Sequence, residues 1–189
     1  LGEGPMLAVI EDSTGSGKTE AALILAARLM AAGKAEGLYF ALPTMATANA
    51  MFLRLGDIRR PLFADGARPS LVLAHGRADL AHGQLAGVAN TGNGGGEDNA
   101  AWCAEWIADN RRKAFFADVG AGTIDQAFLA VLKKKHLALR QYGLAGRVLV
   151  VDEAHAFDAY MGRELEILLE VHASLGGSAI VLSATLPAA

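Results

Sequence analysis

Six short apolar runs, separated by stretches of helical character, constrain what these 189 residues can fold into more than any other feature. They cover residues 6–10, 37–42, 70–74, 113–117, 147–151 and 178–182. Each is continuous rather than alternating, the pattern of a strand with both faces covered. Between them, residues 18–32, 46–55 and 163–175 read as helices that stop at Gly33, Gly56 and Gly176-Gly177. Strand then helix, repeated, predicts an α/β fold: a mostly parallel sheet with right-handed crossovers and helices on both faces. At this length one core is the default, so residues 1–189 are expected to form a single domain. Residues 83–99, which contain Asn93-Gly94-Gly95-Gly96-Glu97-Asp98, are the one low-complexity stretch and read as a flexible surface insertion.

Charge and cysteine content narrow the setting. A net charge of -3 argues against a protein that coats nucleic acid by bulk charge and leaves room only for a local binding groove. The single cysteine, Cys103, has no partner for an internal disulfide and reads as a small buried hydrophobe in a reducing compartment. No apolar run approaches the ~18 residues of a membrane span, and the start Leu1-Gly2-Glu3-Gly4-Pro5 lacks signal-peptide character. A soluble, cytoplasmic protein without a membrane partner is expected.

After the first strand comes Glu11-Asp12-Ser13-Thr14-Gly15-Ser16-Gly17-Lys18-Thr19, leading straight into a helix. Glycines at this spacing let backbone N–H groups curl around phosphate oxygens while the new helix points its positive end at them. In that arrangement Thr14, Gly15, Ser16, Gly17, Lys18 and Thr19 cradle a nucleotide. Lys18 reaches the β and γ phosphates and Thr19 ligates Mg²⁺, so ATP and Mg²⁺ are the expected cofactors. Chance places a Gly-x-Gly-Lys-Ser/Thr string in roughly one or two of a hundred chains of this length and glycine content. One departure stands out: the first position of the loop, usually Gly or another small residue, is Asp12, whose carboxylate weakens binding unless it points away.

A second signal is independent of the first. The strand at residues 147–151 delivers Asp152-Glu153-Ala154-His155 at its carboxyl end, where open α/β sheets place their ligand sites. Asp152 is expected to hold Mg²⁺, mostly through water, and Glu153 to orient and deprotonate the water that attacks the γ phosphate. Ser183-Ala184-Thr185, following the last strand, offers two hydroxyls to His155. Such a hydrogen bond would link the nucleotide site to nucleic-acid contacts.

With the loop at 12–19, Asp-Glu-Ala-His at 152–155 and Ser-Ala-Thr at 183–185, the chain resembles the first RecA-like lobe of superfamily 2 helicases of the Asp-Glu-x-His class, a P-loop NTPase domain. A narrower likeness rests on Gly17-Lys18-Thr19-Glu20-Ala21-Ala22-Leu23, on Pro43-Thr44-Met45-Ala46-Thr47-Ala48-Asn49, and on Gly122-Thr123-Ile124-Asp125-Gln126-Ala127. Leu144-Ala145-Gly146-Arg147 and the tail Asp158-Ala159-Tyr160-Met161 extend it. These blocks resemble the CRISPR-associated helicase-nuclease of type I systems.

That resemblance implies that Pro43, Thr44 and Met45 form the first backbone-contacting motif and Thr123, Asp125 and Gln126 the second. Both would grip single-stranded DNA through phosphates without reading bases. It also implies coupling of ATP hydrolysis to movement on DNA displaced by a crRNA-guided surveillance complex, in antiviral defence. A second RecA-like lobe and a metal-dependent His-Asp nuclease domain would belong to the parent protein. His75, His82, His136, His155 and His172 are followed by Gly, Gly, Leu, Ala and Ala, so no such pair is in this chain. An isolated first lobe is expected to hydrolyse ATP weakly or not at all, because the closing lobe supplies charge stabilisation worth ~10³ to 10⁵ in related NTPases.

Alternative readings are a lobe of another superfamily 2 DNA or RNA helicase, a nucleotide- or DNA-binding module without turnover, and a small-molecule P-loop kinase. The kinase leaves Ser183-Ala184-Thr185 and the Pro43 block unexplained. Lys133-Lys134-Lys135 reads as a solvated helix end, Trp102 and Trp106 as core packing, and His75-Gly76-Arg77 as a strand-to-helix turn, ahead of any DNA role for them.

Overall fold

The computed structural model describes residues 2, 4–13, 15–63, 66–74, 114–132 and 137–184. The expected insertion at 83–99 lies outside them, as do Thr14, Thr185, Arg77, Trp102, Cys103, Trp106 and Lys133-Lys134-Lys135. Six strands form one all-parallel sheet: β1 (Leu7–Glu11), β2 (Gly37–Leu42), β3 (Leu71–Ala74), β4 (Val119–Thr123), β5 (Arg147–Val151) and β6 (Ala179–Ser183). Their spatial order is β1-β6-β5-β2-β4-β3. The helices are α1 (Lys18–Ala31), α2 (Met45–Ile58), α3 (Ile124–Phe128), α4 (Leu137–Ala145) and α5 (Ala159–Ser174).

The continuous apolar runs follow from the layers. Along β2, Leu38, Phe40 and Leu42 face an apolar layer shared with Ala22, Leu23, Ala26 and Leu29 of α1 and Ala48, Met51, Phe52 and Leu55 of α2. Tyr39 and Ala41 face the opposite layer with Ile124 and Phe128 of α3, Leu144 of α4 and Leu168 of α5. Successive side chains of a strand point to opposite faces, so covering both requires an apolar residue at every position. Each fully buried Leu or Phe contributes about 1.5–3 kcal/mol relative to exposure.

β1 departs from that expectation. It is one of the two edge strands, and the helices on the second face leave Leu7 and Val9 59% and 51% exposed, whereas Ala8 and Ile10 pack against the first layer.

One expected strand is wrong. Residues 114–116 form a 3₁₀ turn, and the strand is Val119–Thr123 two residues on. The turn is pinned by Arg147, a buried side chain whose Nε donates to the Ala117 carbonyl at 2.7 Å and whose Nη2 donates to that of Phe116 at 2.7 Å. Its Nη1 donates to Gly146 and meets Glu36 at 3.4 Å. The helices α3 and α4 are additions to the expected set, and α2 runs through Gly56 to Ile58 rather than stopping at it.

At the other end of the sheet, buried His172 closes the turn from α5 to β6, with Nε2 3.1 Å from the Ser178 carbonyl. A Cβ on Gly177 would stand 2.2 Å from the ring, so the chain passes there only as glycine. Burial holds this imidazole below its ordinary titration range, with the Ser178 carbonyl opposing. The unfolded chain therefore binds the proton more readily than the folded one as pH falls below about 6.5. Stability from this group is full above that pH and is lost on acidification. Urea unfolding between pH 7.5 and 5.5 should show a loss of up to about 1.4 kcal/mol per pH unit that His172→Gln removes; equal slopes for the two proteins would contradict it.

Candidate functional site

The carboxyl edge of the sheet collects the residues singled out above. In the order β1-β6-β5-β2-β4-β3, the loop at 12–19 leaves β1, Ser183 and Ala184 end β6, and Asp152 and Glu153 leave β5. The Pro43 block then leaves β2 and the Thr123 block leaves β4. Neighbouring strands lie about 4.8 Å apart, so the edge divides into a half from β1 to β5 and a half at β2 and β4, spanning roughly 19 Å.

The loop between β1 and α1 is shaped by Gly15 and Gly17, at φ +83° and +89°, where a side chain would be strained. Gly17 is also the N-cap of α1, and no side chain caps that helix. Apart from the Glu20 N–H, which its own carboxylate accepts, the first-turn amides are open to an external acceptor, and the helix dipole favours an anion. Lys18 Nζ donates to the carbonyls of Asp12 and Ser13, both at 2.6 Å, which holds the ammonium against the loop.

Asp12 is turned onto the loop itself: its carboxylate accepts the Ser13 N–H at 2.7 Å. That bond and one from Ser16, with lesser help from the Ser13 hydroxyl and Lys18, hold its carboxyl below the usual carboxylate range against the opposing desolvation. Its own N–H donates to the Ser183 carbonyl at 3.3 Å, so the start of the loop is tied to the end of β6.

Asp152 sits half-buried at the end of β5, its N–H donating to the Ala41 carbonyl at 2.9 Å. Burial pushes its carboxyl up; the Glu153 N–H, donated to Oδ1 at 2.9 Å, and the nearby charges of Lys18 and His155 oppose this. The fold thus brings the carboxylate, the loop lysine and the histidine within electrostatic reach of one another. Glu153 adopts the left-handed conformation, φ 52° and ψ 40°, the one non-glycine residue at positive φ among the described residues. Such a backbone costs on the order of 1–2 kcal/mol and persists where surrounding structure over-determines it, often at functional sites.

His155 lies in the 3₁₀ turn Ala154–Ala156, and its Nδ1 accepts the Ala184 N–H at 3.1 Å. The described tie to the end of β6 is made by this backbone amide; Thr185 lies outside the described residues. Ser183 itself is buried at the end of β6.

In the other half, Thr44 is the N-cap of α2 and forms a capping box with Thr47, accepting that residue's N–H at 3.1 Å. Its hydroxyl is committed to the helix, and Met45 beside it is 40% exposed. Thr123 is buried at the N-cap position of the short α3 without a side-chain cap bond; the helix carries Asp125 on its exposed side and Gln126 half-buried. Leu42 and Thr123 are paired across β2 and β4, so the two blocks stand side by side. Asp158, in the Asp-Ala-Tyr-Met tail, caps α5 by accepting the Met161 N–H at 2.8 Å.

Sequence reasoning overlooked one ion pair at this edge. Glu20, immediately after Thr19, is joined to Arg54 of α2 at 2.5 Å. Only the position of Glu20 in the first turn could have drawn notice.

No protein-family model matches the chain. It is 44% identical over 187 residues to the CRISPR-associated endonuclease/helicase Cas3 of Escherichia coli K12, covering 97% of this chain and 20% of that protein. Among solved structures, T. fusca Cas3 with AMPPNP matches with a TM-score of 0.81 and 41% identity, over 97% of this chain and 19% of the other. A chain in a CRISPR RNA-guided surveillance complex, in a pre-nicking state, matches at TM-score 0.64 and 37% identity, over 97% and 16% of the two chains. This chain thus spans about a fifth of the length of the curated relatives it matches. Sequence and fold together match it, over nearly its whole length, to the first RecA-like lobe of the Cas3 helicase-nucleases of CRISPR systems.

Proposed function

We propose that this chain is the ATP-binding motor lobe of a type I CRISPR helicase-nuclease, coupling ATP hydrolysis to movement along single-stranded DNA. The observation that carries the reading is the placement of the glycine loop, Asp152 and Glu153 on one half of a single sheet edge and of the Pro43 and Thr123 blocks on the adjoining half. The likeness to a Cas3 structure with AMPPNP supports a nucleotide at the loop.

Gly15, Ser16, Gly17, Lys18 and Thr19, with Thr14, would hold the phosphates. The donor set also fits Mg²⁺. Mg²⁺ favours hard oxygen donors and is commonly held by one or two protein oxygens beside substrate phosphates. Asp152 and Thr19 would supply those oxygens, and the desolvated carboxylate of Asp152 gains from a cation beside it. When bound, Mg²⁺ would neutralise charge on the phosphate oxygens. Glu153 would take the proton of the attacking water, and His155 would relay the state of the site to β6 through Ala184.

Single-stranded DNA would lie across Pro43, Thr44, Met45, Thr123, Asp125 and Gln126, with the positive end of α2 toward its phosphates. As one lobe, the chain would need a second RecA-like lobe for full turnover, and would act beside a His-Asp nuclease domain and a crRNA-guided surveillance complex. Among the described residues no helix is long and apolar enough to cross a membrane, and we place the work in the cytoplasm only as part of this reading. Titration with a fluorescent ATP analogue and Mg²⁺ tests the site: Lys18→Ala should weaken binding about ten- to hundredfold, the loss of charge-assisted hydrogen bonds. Unchanged affinity would end the nucleotide reading. ATPase activity of the parent protein rising with RNA but not with single-stranded DNA would end the DNA reading.

A further inference from the structure

Helices α1 and α2 lie on the same face of the sheet, their buried residues forming one apolar layer. At the surface they are joined by Arg54, whose Nη2 donates to Glu20 Oε1 at 2.5 Å. Glu20 follows Thr19 in the first turn of α1, and its Oε2 lies 3.9 Å from where a Cβ on Gly17 would stand. The carboxylate therefore leans against the phosphate loop. Its own backbone N–H and then Arg54 hold it below the usual carboxylate range. A fixed negative charge thus stands at the helix end that has to receive a polyphosphate, and a cation from α2 offsets it.

We infer that Arg54 is a positioning residue of the nucleotide site: it holds and neutralises Glu20 beside the phosphate loop, and so makes nucleotide affinity depend on where α2 lies. The inference rests on residues 12–19 binding nucleotide. α2 begins at the Pro43-Thr44-Met45 block, and Arg54 stands ten residues along it, about 15 Å from that end. A displacement of α2 at its strand-facing end would carry Arg54 away from Glu20 and leave the carboxylate facing the phosphates. The pair is exposed, 41% and 60%, so it adds little to folding stability. Its consequence falls on the charge balance of the loop.

The test is a titration of fluorescent ADP and ATP analogues with Mg²⁺ into the 189-residue chain and its Arg54→Gln, Glu20→Gln and doubly substituted forms. Arg54→Gln should weaken binding about two- to fivefold and Glu20→Gln should tighten it by a similar factor. The double variant should return close to the starting affinity. The shifts should be larger for ATP than ADP and should shrink at 0.5 M salt, where screening acts within about 4 Å. Opposite signs distinguish charge compensation from a strut, whose loss in either variant would shift affinity the same way and lower the melting temperature. Both variants weakening, or neither moving while the unsubstituted chain binds, would overturn the inference alone. Failure of the unsubstituted chain to bind would instead remove the nucleotide reading on which it rests.

Discussion

Glu153→Gln in the full-length protein is expected to lower ATP turnover by about 10²- to 10⁴-fold while leaving nucleotide affinity within about twofold, the signature of losing a general base rather than a binding group. Glutamine keeps the shape and hydrogen-bonding reach of glutamate but cannot take a proton. The backbone of Glu153 is held left-handed at φ 52°, with its N–H engaged by Asp152 Oδ1 at 2.9 Å, and neither feature depends on the side-chain charge. The substitution therefore leaves the strand end in place, and circular dichroism and melting temperature should be unchanged. Steady-state ATPase measured beside analogue binding separates the cases. Turnover within tenfold of the unsubstituted protein would remove Glu153 from the role of base, and a matching loss of affinity would make it a binding residue.

How far this site could be read in advance depends on what kind of contact carries each part. β2 and β5 coincide with their expected spans residue for residue, because both faces of both strands are covered and, past Gly37 and the hydrogen-bonded Arg147, every position carries an apolar or aromatic side chain. α1 starts at Lys18 as expected, since the glycines that shape the loop also end the strand side of the turn. The link from His155 to the end of β6 could be read from residue types, but the Ala184 amide that makes the described bond could not. Backbone donors carry no residue signature. Glu20 and Arg54 lie 34 positions apart, and their pairing depends on two crossovers placing α1 and α2 on one face. α3 has five residues, too few to show helical periodicity, and α4 contains Gly143, where a Cβ would stand 2.9 Å from that of Phe115. A glycine that packing demands there weakens the helical pattern.

β4 is the clearest case of packing overruling local preference, and it leads to the largest expected effect on stability. Val119-Gly120-Ala121-Gly122-Thr123 has two glycines, which lower strand propensity, so the more apolar stretch before it reads as the better strand. The glycines are there because the ring of Tyr39 crosses β4 on its way to Phe115, with ring centroids 4.7 Å apart. A Cβ on Gly120 would lie 2.7 Å from Tyr39 Cδ2, and one on Gly122 would lie 2.1 Å from the Tyr39 hydroxyl and 2.2 Å from the Ala74 carbonyl oxygen. At Gly120 the obstacle is a side chain; at Gly122 it includes the backbone of β3, which is held in the sheet by its parallel pairing with β4. Gly122→Ala should therefore cost about 3 kcal/mol or more, at the upper end of overpacking, with Gly120→Ala costing less. Tyr39→Phe removes the hydroxyl and gives the test its discrimination. Added to Gly122→Ala it should recover only part of the loss, because the Ala74 contact remains. Urea midpoints of the two single variants and the combination decide it. Full recovery in the combination would show that β3 yields and that only Tyr39 requires the glycine. Thr123 and the Asp125-Gln126 block would then owe their place beside β2 to that one side chain.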